Sequence, residues 1–540
     1  MKRWNGWGDE KNNFGFELTK TSQDYIENIL GKSSALPEIT LDEAIAKVPE
    51  SRAPQHKLIN TDAEVRLRYC RGQSIPDWLA THSGDFGTFP DGVAFPSTTI
   101  EVQELLQFAK QENLIVIPYG GGTSVCGHIN PEKNERPIIT VALTNMNKLI
   151  AFDKQSQIAT FGAGTLGPDV EKQLFKHGYT LGHFPQSWEL STVGGWVASR
   201  SSGQQSLRYG RIEKMFAGGN IETLQGSLDI PTFPASSAGP DVREMILGSE
   251  GRMGIITEVK MRVTKIAEQE NFYVAFFPSW QVGMEATREI VQNGTQLSMM
   301  RLSNEVETAS HLKLAGHDTA VKYLEKYLSI RGFTKNDEKT MFTFGITGSK
   351  AQCKSALKIT KQFISKHKGV YIGTALGKHW QHSRFRSPYL RQGFWDAGII
   401  VDTMETCLDW SAVPAAVKGM ESDIANALKS ETNSAHRDDE KIHVFTHLSH
   451  FYGQGCSVYT TFLFRMDEDY DKTMQRWLKL KAAGAEAIVK HGGTISHQHG
   501  VGKDHAPYLA AEKGELGIKA IKELCQVFDP EQRMNPGTLV

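Results

Sequence analysis

Apolar residues recur at helical spacing shortly before residue 110. Ser97–Thr99 precedes apolar side chains at Val102, Leu105, Leu106 and Ala109. A capping sequence followed by a period of about 3.6 residues predicts a helix that buries one face. The chain therefore enters its first well-patterned region through an amphipathic helix.

Strand patterns and turn signals alternate after this helix. Continuous apolar runs at Ile115–Pro118 and Ile138–Leu143 predict two buried strands. Leu149–Phe152 and Gln157–Phe161 flank a polar turn and predict a hairpin. Proline at the first turn of Pro168–Lys176 favours a helix that starts there. The pattern indicates a mixed helix and strand domain.

The patterning divides the chain into four parts. Residues 1–90 are mostly polar with helical fragments, and residues 91–267 are rich in strands and punctuated by glycine. Residues 268–480 alternate strands with amphipathic helices, and residues 481–540 return to glycine-rich turns. We expect an N-terminal helical segment, two domains and a C-terminal segment that rejoins the first domain.

Composition and charge exclude several classes of protein. The 540 residues carry 60 Lys+Arg against 61 Asp+Glu, and this balance argues against a general nucleic-acid binder. No apolar run approaches the roughly 18 residues of a membrane-spanning helix, and the first residues lack the apolar core of a signal peptide. Six scattered cysteines fit a reducing compartment, so we expect a cytoplasmic protein.

Glycine is enriched, with 50 residues. One glycine motif has the form of a dinucleotide-binding fingerprint, but we do not interpret it as one. Gly162–Gly167 has the form G-x-G-x-x-G between a predicted strand and a predicted helix. It follows two earlier strands, however, and no acidic residue lies at the downstream position expected of a dinucleotide fingerprint. We interpret it as an ordinary turn between a strand and a helix.

Three other loops of small residues indicate a long cofactor that carries phosphate. In Pro118–Ser124, three successive glycines after a buried strand let backbone N–H groups converge on one anion. Ser191–Ser199 leads on to Ser202-Gly203, and Gly248–Thr257 runs into a strand. Small residues in these loops let a flat ring or a diphosphate lie against the backbone.

The order of these loops resembles the FAD domain of the vanillyl-alcohol oxidase and p-cresol methylhydroxylase superfamily, as does the ending Arg533–Gly537. The resemblance implies an α+β fold with a two-subdomain FAD-binding domain of the p-cresol methylhydroxylase type and an α/β cap domain over the flavin. No histidine stands out as a covalent link, so we expect non-covalent FAD. The implied cofactor-binding residues are Pro118, Gly120, Gly121, Gly122, Thr123, Ser124, Ser191, Thr192, Gly194, Gly195, Ser202, Glu250, Gly254 and Ile256.

A narrower resemblance links Arg3–Gly8, Ser191–Trp196 and Ser496–Lys503 to the alkyldihydroxyacetonephosphate synthase family. It implies a transferase of ether lipid synthesis. Such an enzyme exchanges the acyl chain of acyl-dihydroxyacetone phosphate for a fatty alcohol through an adduct on flavin N5. Two alternatives stay open: an FAD-dependent oxidase or dehydrogenase of a 2-hydroxy acid or alcohol, and a protein that retains FAD without turnover.

The resemblance also assigns candidates for proton transfer. Tyr459 matches the family's active-site tyrosine, which is proposed to take the acidic α-proton of the substrate. With an ordinary pKa of about 10, it needs a neighbouring cation or histidine to act as a base. His497 and His499 could move protons near the flavin. The synthases have three consecutive histidines here, and Gln498, which cannot carry a proton, takes the middle position.

Arginines and a histidine series complete the candidates. Arg301 and Arg391 match family arginines that hold the substrate phosphate or assist at the flavin, since a guanidinium gives paired charge-assisted bonds. His443, His447 and His450 have a spacing that would suit a metal on a helix, but their neighbours favour extended chain. We expect no metal, a small or lipid-linked phosphate substrate, at most peripheral membrane contact, no nucleic acid and a homodimer.

Overall fold

The computed structural model describes residues 2–10, 18–314, 318–333 and 339–540. Helices and strands are interspersed through these ranges, which confirms the α+β expectation. The helices are α1 (Lys20–Leu30), α2 (Leu41–Ala46), α3 (Ala63–Arg68), α4 (Ile75–Ser83), α5 (Thr99–Gln111), α6 (Gly167–Phe175), α7 (Val193–Ala198), α8 (Ser206–Tyr209), α9 (Ile212–Met215), α10 (Arg243–Ile246), α11 (Trp280–Gln292), α12 (Glu305–Leu314), α13 (Asp318–Ile330), α14 (Lys350–Lys366), α15 (Ala375–Ser383), α16 (Ser387–Asp396), α17 (Val413–Asn426), α18 (Tyr470–Lys490) and α19 (Leu509–Phe528).

The strands pair into sheets that belong to different halves of the chain. They are β1 (Ile59–Asn60), β2 (Gly92–Ala94), β3 (Ile115–Tyr119), β4 (Ile138–Ala142), β5 (Leu149–Asp153), β6 (Ile158–Gly162), β7 (Tyr179–Thr180), β8 (Phe216–Thr223), β9 (Gly226–Ile230), β10 (Ile255–Arg262), β11 (Thr264–Lys265), β12 (Gln269–Phe277), β13 (Met299–Ser303), β14 (Thr340–Gly348), β15 (Val370–Gly373), β16 (Ile399–Asp409), β17 (Thr432–Asn433), β18 (Asp438–Asp439), β19 (His443–Phe451) and β20 (Gly455–Arg465).

Two sheets build the first half of the molecule among the described residues. One has the order β1-β2-β4-β3, in which β2, β4 and β3 run parallel. The other has the order β5-β6-β10-β8-β9 and is antiparallel throughout. The predicted hairpin is the β5–β6 pair. One apolar core, which includes Val116, Phe161 and Met261, joins the two sheets.

The second half contains an antiparallel sheet with the order β15-β12-β14-β13-β19-β20-β16. We call it the cap sheet. Helices α17 and α18 pack against it around Met404, Met420 and Trp477, which are buried in a second large core. Because side chains alternate along each strand, this leaves the opposite face of β13, β16, β19 and β20 to form a wall of the site.

Local signals explain the elements that the sequence predicted near residue 100. Thr98 begins α5, where its side-chain oxygen accepts a hydrogen bond from the Glu101 N–H at 3.2 Å. The apolar runs form β3 and β4, which are buried. Gly162–Gly167 connects β6 to α6, as expected of an ordinary turn.

The C-terminal segment lies against the first half. Met534 forms a parallel bridge with Val116, and the Arg252 guanidinium donates to the Met534 carbonyl. Across the described residues every helix is too short or too polar to span a bilayer. The six cysteines are free thiols. The division of the chain at residues 90, 267 and 480 stays a prediction.

Candidate active site

A cavity of about 460 Å³ lies where the glycine loops meet the cap sheet. The three loops form its floor, and β13, β16, β19 and β20 form the wall opposite. Gln498 and His499 close one side, while Ile26 of α1 and Phe394 of α16 lie at the far end. The cavity therefore connects the part of the chain expected to bind a cofactor with the part expected to bind a substrate.

The glycine loops pack on one another too closely for side chains. A Cβ on Gly121 would overlap the carbonyl oxygen of Leu190, and a Cβ on Gly194 would lie 2.6 Å from that of Ala163. Gly122 has a φ of 68°, in the left-handed region that glycine tolerates. Each of these positions requires glycine because a neighbouring group or the backbone conformation leaves no room for a side chain.

Every cofactor-binding residue predicted from the sequence lines this cavity. A floor rich in backbone N–H groups and hydroxyls suits a diphosphate beside a flat ring. The residues present therefore fit FAD, although the contact of each with the cofactor stays a prediction. They are Pro118, Gly120, Gly121, Gly122, Thr123, Ser124, Ser191, Thr192, Gly194, Gly195, Ser202, Glu250, Gly254 and Ile256.

Gly121→Ala is expected to abolish FAD retention, because the new methyl group displaces the Leu190 backbone and separates two of the loops. The measurement is the flavin absorbance of the purified protein relative to its concentration. Gly453→Ala is the matched control, since no atom lies within 4 Å of a Cβ built there. A Gly121→Ala protein with a full complement of FAD would contradict this assignment of the floor.

Polar side chains on the cap sheet and α12 form a connected cluster. Arg301 Nη2 donates to Glu307 Oε1 at 2.7 Å and lies 3.2 Å from His447 Nδ1. The same Glu307 oxygen is 3.0 Å from His447 Nδ1. Tyr459 stacks on His447 with ring centroids 4.8 Å apart, and its hydroxyl donates to Thr403 Oγ1 at 3.2 Å. Pairing between β19 and β20 places these rings side by side.

Burial and charge set the protonation of this cluster. Burial raises the pKa of Tyr459 to about 12, so the phenol keeps its proton at neutral pH. For Glu307, burial opposes ionisation, but Arg301, His447 and His311 outweigh it and hold the pKa of the carboxyl well below its usual range. Burial and the charge of Arg301 lower the pKa of His447. The cluster thus contains one ion pair and a neutral histidine next to a neutral phenol.

Arg391 on α16 brings a second cation to the cavity. Its guanidinium lies 5.5 Å from the ring centroid of Trp78 and donates to the Gln73 carbonyl. It is 4.0 Å from one oxygen of Asp402, and Lys481 is 3.5 Å from the other. Two cations share one carboxylate here, and the charges of Asp77 and Asp504 act on them as well.

Glu405 on β16 organises the turn that carries the predicted histidines. Its Oε1 accepts backbone N–H groups from His497 at 3.1 Å, Gln498 at 2.9 Å and His499 at 3.0 Å. It also accepts the Ser496 hydroxyl at 2.9 Å. This single carboxylate oxygen holds the turn in place, so that Gln498 and His499 line the cavity.

Of the predicted catalytic residues, His497 alone does not line the cavity. Its Nε2 lies 2.6 Å from Arg211 Nη1 and 2.8 Å from the Tyr452 hydroxyl. Burial, followed by the charge of Arg211, holds its pKa well below the usual range. The ring of His499, in contrast, meets Tyr459 edge on at 5.9 Å. The predicted role of His497 in proton transfer stays a prediction, and its contacts direct it away from the cavity.

His443, His447 and His450 lie on strand β19 and not on a helix, and this sets the direction of their side chains. His443 and His447 share one face of β19 and line the cavity. A register shift and a φ of 47° turn His450 away, so that its Nδ1 lies 3.1 Å from Ser202 Oγ. Within the described ranges no three His, Cys, Asp or Glu side chains are grouped to hold a metal.

The far end of the cavity is apolar. Ile26 of α1 and Phe394 of α16 meet Val401, Phe445 and Leu463 of the cap sheet there. Such a surface favours hydrocarbon over water. The cavity therefore offers a polar region beside the glycine loops and an apolar region beyond the cap-sheet cluster.

The sequence interpretation did not identify several residues of this site. These include Glu307, Thr403 and Glu405, and it considered His447 only as a metal ligand. Period-two alternation along β19 and β20 was the available signal for His447, because a strand aligns every second residue. No local signal marks Glu405, whose partners lie more than 90 positions away in the sequence.

Comparison with known proteins agrees with this geometry. The FAD binding domain family matches residues 90–228, and the family of FAD linked oxidases, C-terminal domain, matches residues 266–539. Alkyldihydroxyacetonephosphate synthase of Dictyostelium discoideum is 30% identical over 97% of this chain and 84% of its own. A solved structure of an alkyldihydroxyacetonephosphate synthase has a TM-score of 0.84 at 27% identity, covering 99% and 98% of the two chains.

The wider fold is also recognisable. The p-cresol methylhydroxylase structure matches with a TM-score of 0.67 at 14% identity, over 93% of this chain and 98% of that one, which shows the fold alone. Fold and site together define an FAD-binding enzyme of the FAD-linked oxidase type. Within that class, the chain belongs to the alkyldihydroxyacetonephosphate synthase family. The fold, the family and the cofactor expected from the sequence are confirmed.

Proposed function

We propose that this protein is an alkyldihydroxyacetonephosphate synthase. It exchanges the acyl chain of acyl-dihydroxyacetone phosphate for a long-chain alcohol and releases the fatty acid. The observation that carries the proposal is the composition of one cavity, which joins the glycine-loop floor, two arginines, a tyrosine stacked on a histidine, and an apolar end. The relatives in which this arrangement is matched carry the name of that activity.

The glycine loops hold the cofactor in this proposal. Backbone N–H groups of Gly120–Gly122 and the hydroxyls of Thr123 and Ser124 bind the diphosphate, and Ser191–Gly195 leaves room for the ring. FAD is held without a covalent bond. When bound, it supplies an electron-accepting ring for an exchange that has no net redox change.

The arginines bind the phosphate of the substrate. Arg301 Nε is buried and finds no hydrogen-bond partner among the described residues, so this N–H is available to an anionic ligand. Glu307 holds the same guanidinium through Nη2 at 2.7 Å. Arg391 adds a second guanidinium that lines the cavity, whereas the chain as a whole carries no excess of positive charge.

Tyr459 transfers a proton to and from the substrate carbon at which the acyl chain is replaced by the alcohol. The phenol is protonated at neutral pH, and its hydroxyl donates to Thr403 Oγ1 at 3.2 Å. The phenol can therefore give its proton to that carbon, and the resulting phenolate can take a proton back from it, so that no net proton is consumed. His447 fixes the plane of the phenol by stacking, and the hydrocarbon chains lie against Phe394, Phe445 and their apolar neighbours.

The direct test supplies purified protein with palmitoyl-dihydroxyacetone phosphate and labelled hexadecanol. The expected product is the labelled alkyl ether, with release of palmitate in equal amount. Absence of ether, together with bleaching of the flavin by 2-hydroxy acids, would overturn the proposal in favour of an oxidoreductase. Absence of both reactions from a protein with bound FAD would favour retention of FAD without turnover.

Gln498→His is expected to leave the turnover rate within about threefold of wild type, because Tyr459, His447 and His499 still supply proton transfer. Gln498→Leu is the matched control and is expected to slow turnover, since it removes the hydrogen-bonding group at the cavity wall. The measurement is the rate of ether formation. A rise of tenfold or more in Gln498→His would show that the missing histidine limits this chain.

Cytoplasmic placement, peripheral contact with membranes and a homodimer belong to the same proposal. An apolar pocket end that takes fatty chains supports contact with a lipid surface, from which such chains are supplied. Cell fractionation, flotation with lipid vesicles and sedimentation analysis test the three points separately.

A further inference from the structure

Ser124 lies at the end of a chain of buried polar groups. Its Oγ is 2.6 Å from His128 Nδ1 and accepts the backbone N–H of His128 at 3.1 Å. On the other side of the imidazole, His128 Nε2 lies 3.3 Å from Glu250 Oε1. Ser124, His128 and Glu250 all line the cavity, next to the glycine-loop floor. The sequence interpretation included Ser124 and Glu250 but not the histidine between them.

Glu250 and the backbone of His128 are held by groups outside this chain. The Glu250 carboxylate accepts the N–H groups of Val501 at 2.6 Å and Gly502 at 2.8 Å. The side-chain amide of Asn535 donates to the carbonyl oxygens of both Glu250 and His128 at 2.8 Å. His128 Nε2 lies within ion-pair distance of this carboxylate, which favours a hydrogen on Nε2, although the contact does not have hydrogen-bond geometry.

The remaining nitrogen of His128 decides what Ser124 can offer to a ligand. When Nδ1 also carries a hydrogen, it donates to Ser124 Oγ in place of the long 3.4 Å bond from the Cys126 N–H, and the single hydroxyl hydrogen of Ser124 is free to point into the cavity. When Nδ1 is bare, Ser124 gives its hydrogen to Nδ1 and presents only lone pairs to the cavity. Only the first state provides a donor for a phosphate oxygen.

We propose that His128, paired with Glu250, is a positioning residue that holds the Ser124 hydroxyl as a donor to the diphosphate of FAD, so that FAD affinity falls when His128 loses its proton. The inference rests on FAD occupying the cavity with its diphosphate at the glycine loops. It deepens the proposed function by adding a residue that acts on the cofactor through another side chain.

The surroundings of His128 favour the protonated state. Burial alone would lower the pKa of His128, but Glu250, Asp504 and Asp77 outweigh burial and raise that pKa above its usual value. His499 also faces it, and burial lowers the pKa of that second imidazole. A group whose pKa is raised by anions is protonated below that pKa, so affinity for FAD is highest at lower pH and declines as pH rises.

A second group near the glycine loops also titrates. Lys2 lies behind Gly122 and contacts the Tyr119 hydroxyl, and burial lowers its pKa to about 8. Loss of its charge also weakens binding of an anion as pH rises. The effect of His128 must therefore be read from the ratio between variants at each pH and not from the wild-type curve alone.

The experiment measures the dissociation constant of FAD by the fluorescence of flavin released on dilution of the holoprotein, between pH 6.5 and 9.0. At pH 6.5, Ser124→Ala is expected to weaken binding about tenfold, the effect of one charge-assisted hydrogen bond. At pH 9.0 the two proteins are expected to bind FAD within about twofold of each other, because wild-type Ser124 then donates to His128.

Three further variants make the test specific. In His128→Gln, which cannot titrate, adding Ser124→Ala is expected to weaken binding by the same factor at every pH. Lys2→Gln should weaken FAD binding. The ratio of dissociation constants with and without Ser124→Ala should still depend on pH in the Lys2→Gln protein, as it does in the wild-type background. Ser124→Thr keeps the hydroxyl and should keep the wild-type profile.

A ratio between Ser124→Ala and wild type that is constant across the pH range would overturn the inference. The inference would also be overturned if, in the His128→Gln background, the proteins with and without Ser124→Ala still bound FAD equally well at high pH but not at low pH. Ether formation is not measured in this experiment. A protein that shows the expected FAD profile but makes no ether would therefore contradict only the proposed function.

Discussion

Tyr459→Phe is expected to slow ether formation by about 10²–10⁴-fold, the usual contribution of a positioned acid or base, without loss of FAD. The substitution removes only the hydroxyl that donates to Thr403 Oγ1 and leaves the ring stacked on His447 at 4.8 Å. The packing of the cap sheet is therefore preserved. Turnover at saturating substrate and the flavin content of the same preparation are the two measurements.

Tyr273→Phe is the matched control for this change. Tyr273 is buried in the same sheet and stacks on Phe344 at 5.2 Å, away from the cavity. It should keep turnover within about twofold of wild type, since the change removes no group from the cavity. Wild-type turnover in Tyr459→Phe would show that another group handles the proton, and His499 would be the next candidate.

Glu405→Ala is expected to lower the free energy of unfolding by about 3–5 kcal/mol and to abolish ether formation. The carboxylate is the shared acceptor for three successive backbone N–H groups and the Ser496 hydroxyl. Its removal leaves these donors buried without a partner and releases the turn that carries Gln498 and His499. Urea unfolding followed by tryptophan fluorescence measures the first effect.

Glu405→Gln separates loss of the acceptor from loss of charge. Its amide oxygen can still accept from the turn, so the loss of stability should be less than half of that in Glu405→Ala. Glu285→Ala, which removes an exposed carboxylate on α11, should change stability by less than about 0.5 kcal/mol. Equal unfolding midpoints for Glu405→Ala and wild type would show that the turn is held by other contacts.

The floor of the cavity could be predicted from the sequence because its chemistry is local. A run such as Gly120–Gly122 after a buried strand limits the backbone to a few conformations whatever the rest of the fold does. The small residues at Ser191–Gly195 likewise indicate, from local sequence alone, a loop whose backbone can lie against a ligand. The structure places every residue of the predicted set on one cavity, and the rejected motif at Gly162–Gly167 forms an ordinary turn.

The wall of the cavity could be predicted only in part. Tyr459 and Arg301 were predicted through the family resemblance. Glu307 and Glu405 were not predicted, because their roles depend on partners that lie on other elements of the fold. Which strand lies beside which, and in what register, depends on packing of the whole cap sheet. The bulge that turns His450 out of line with His447 is a feature of this kind.

The bonds from Asn535 to Glu250 and His128 also have a consequence for biogenesis. Asn535 and His128 are 407 positions apart, so the ribosome releases the glycine loops long before the residue that fastens them. Domains near the N-terminus usually fold while the chain is still being made. The glycine-loop domain is different, because its contacts with Asn535 form only after the C-terminus has been synthesised. Newly made chains should therefore acquire flavin late, and a ribosome stalled after the cap sheet should carry a colourless nascent protein.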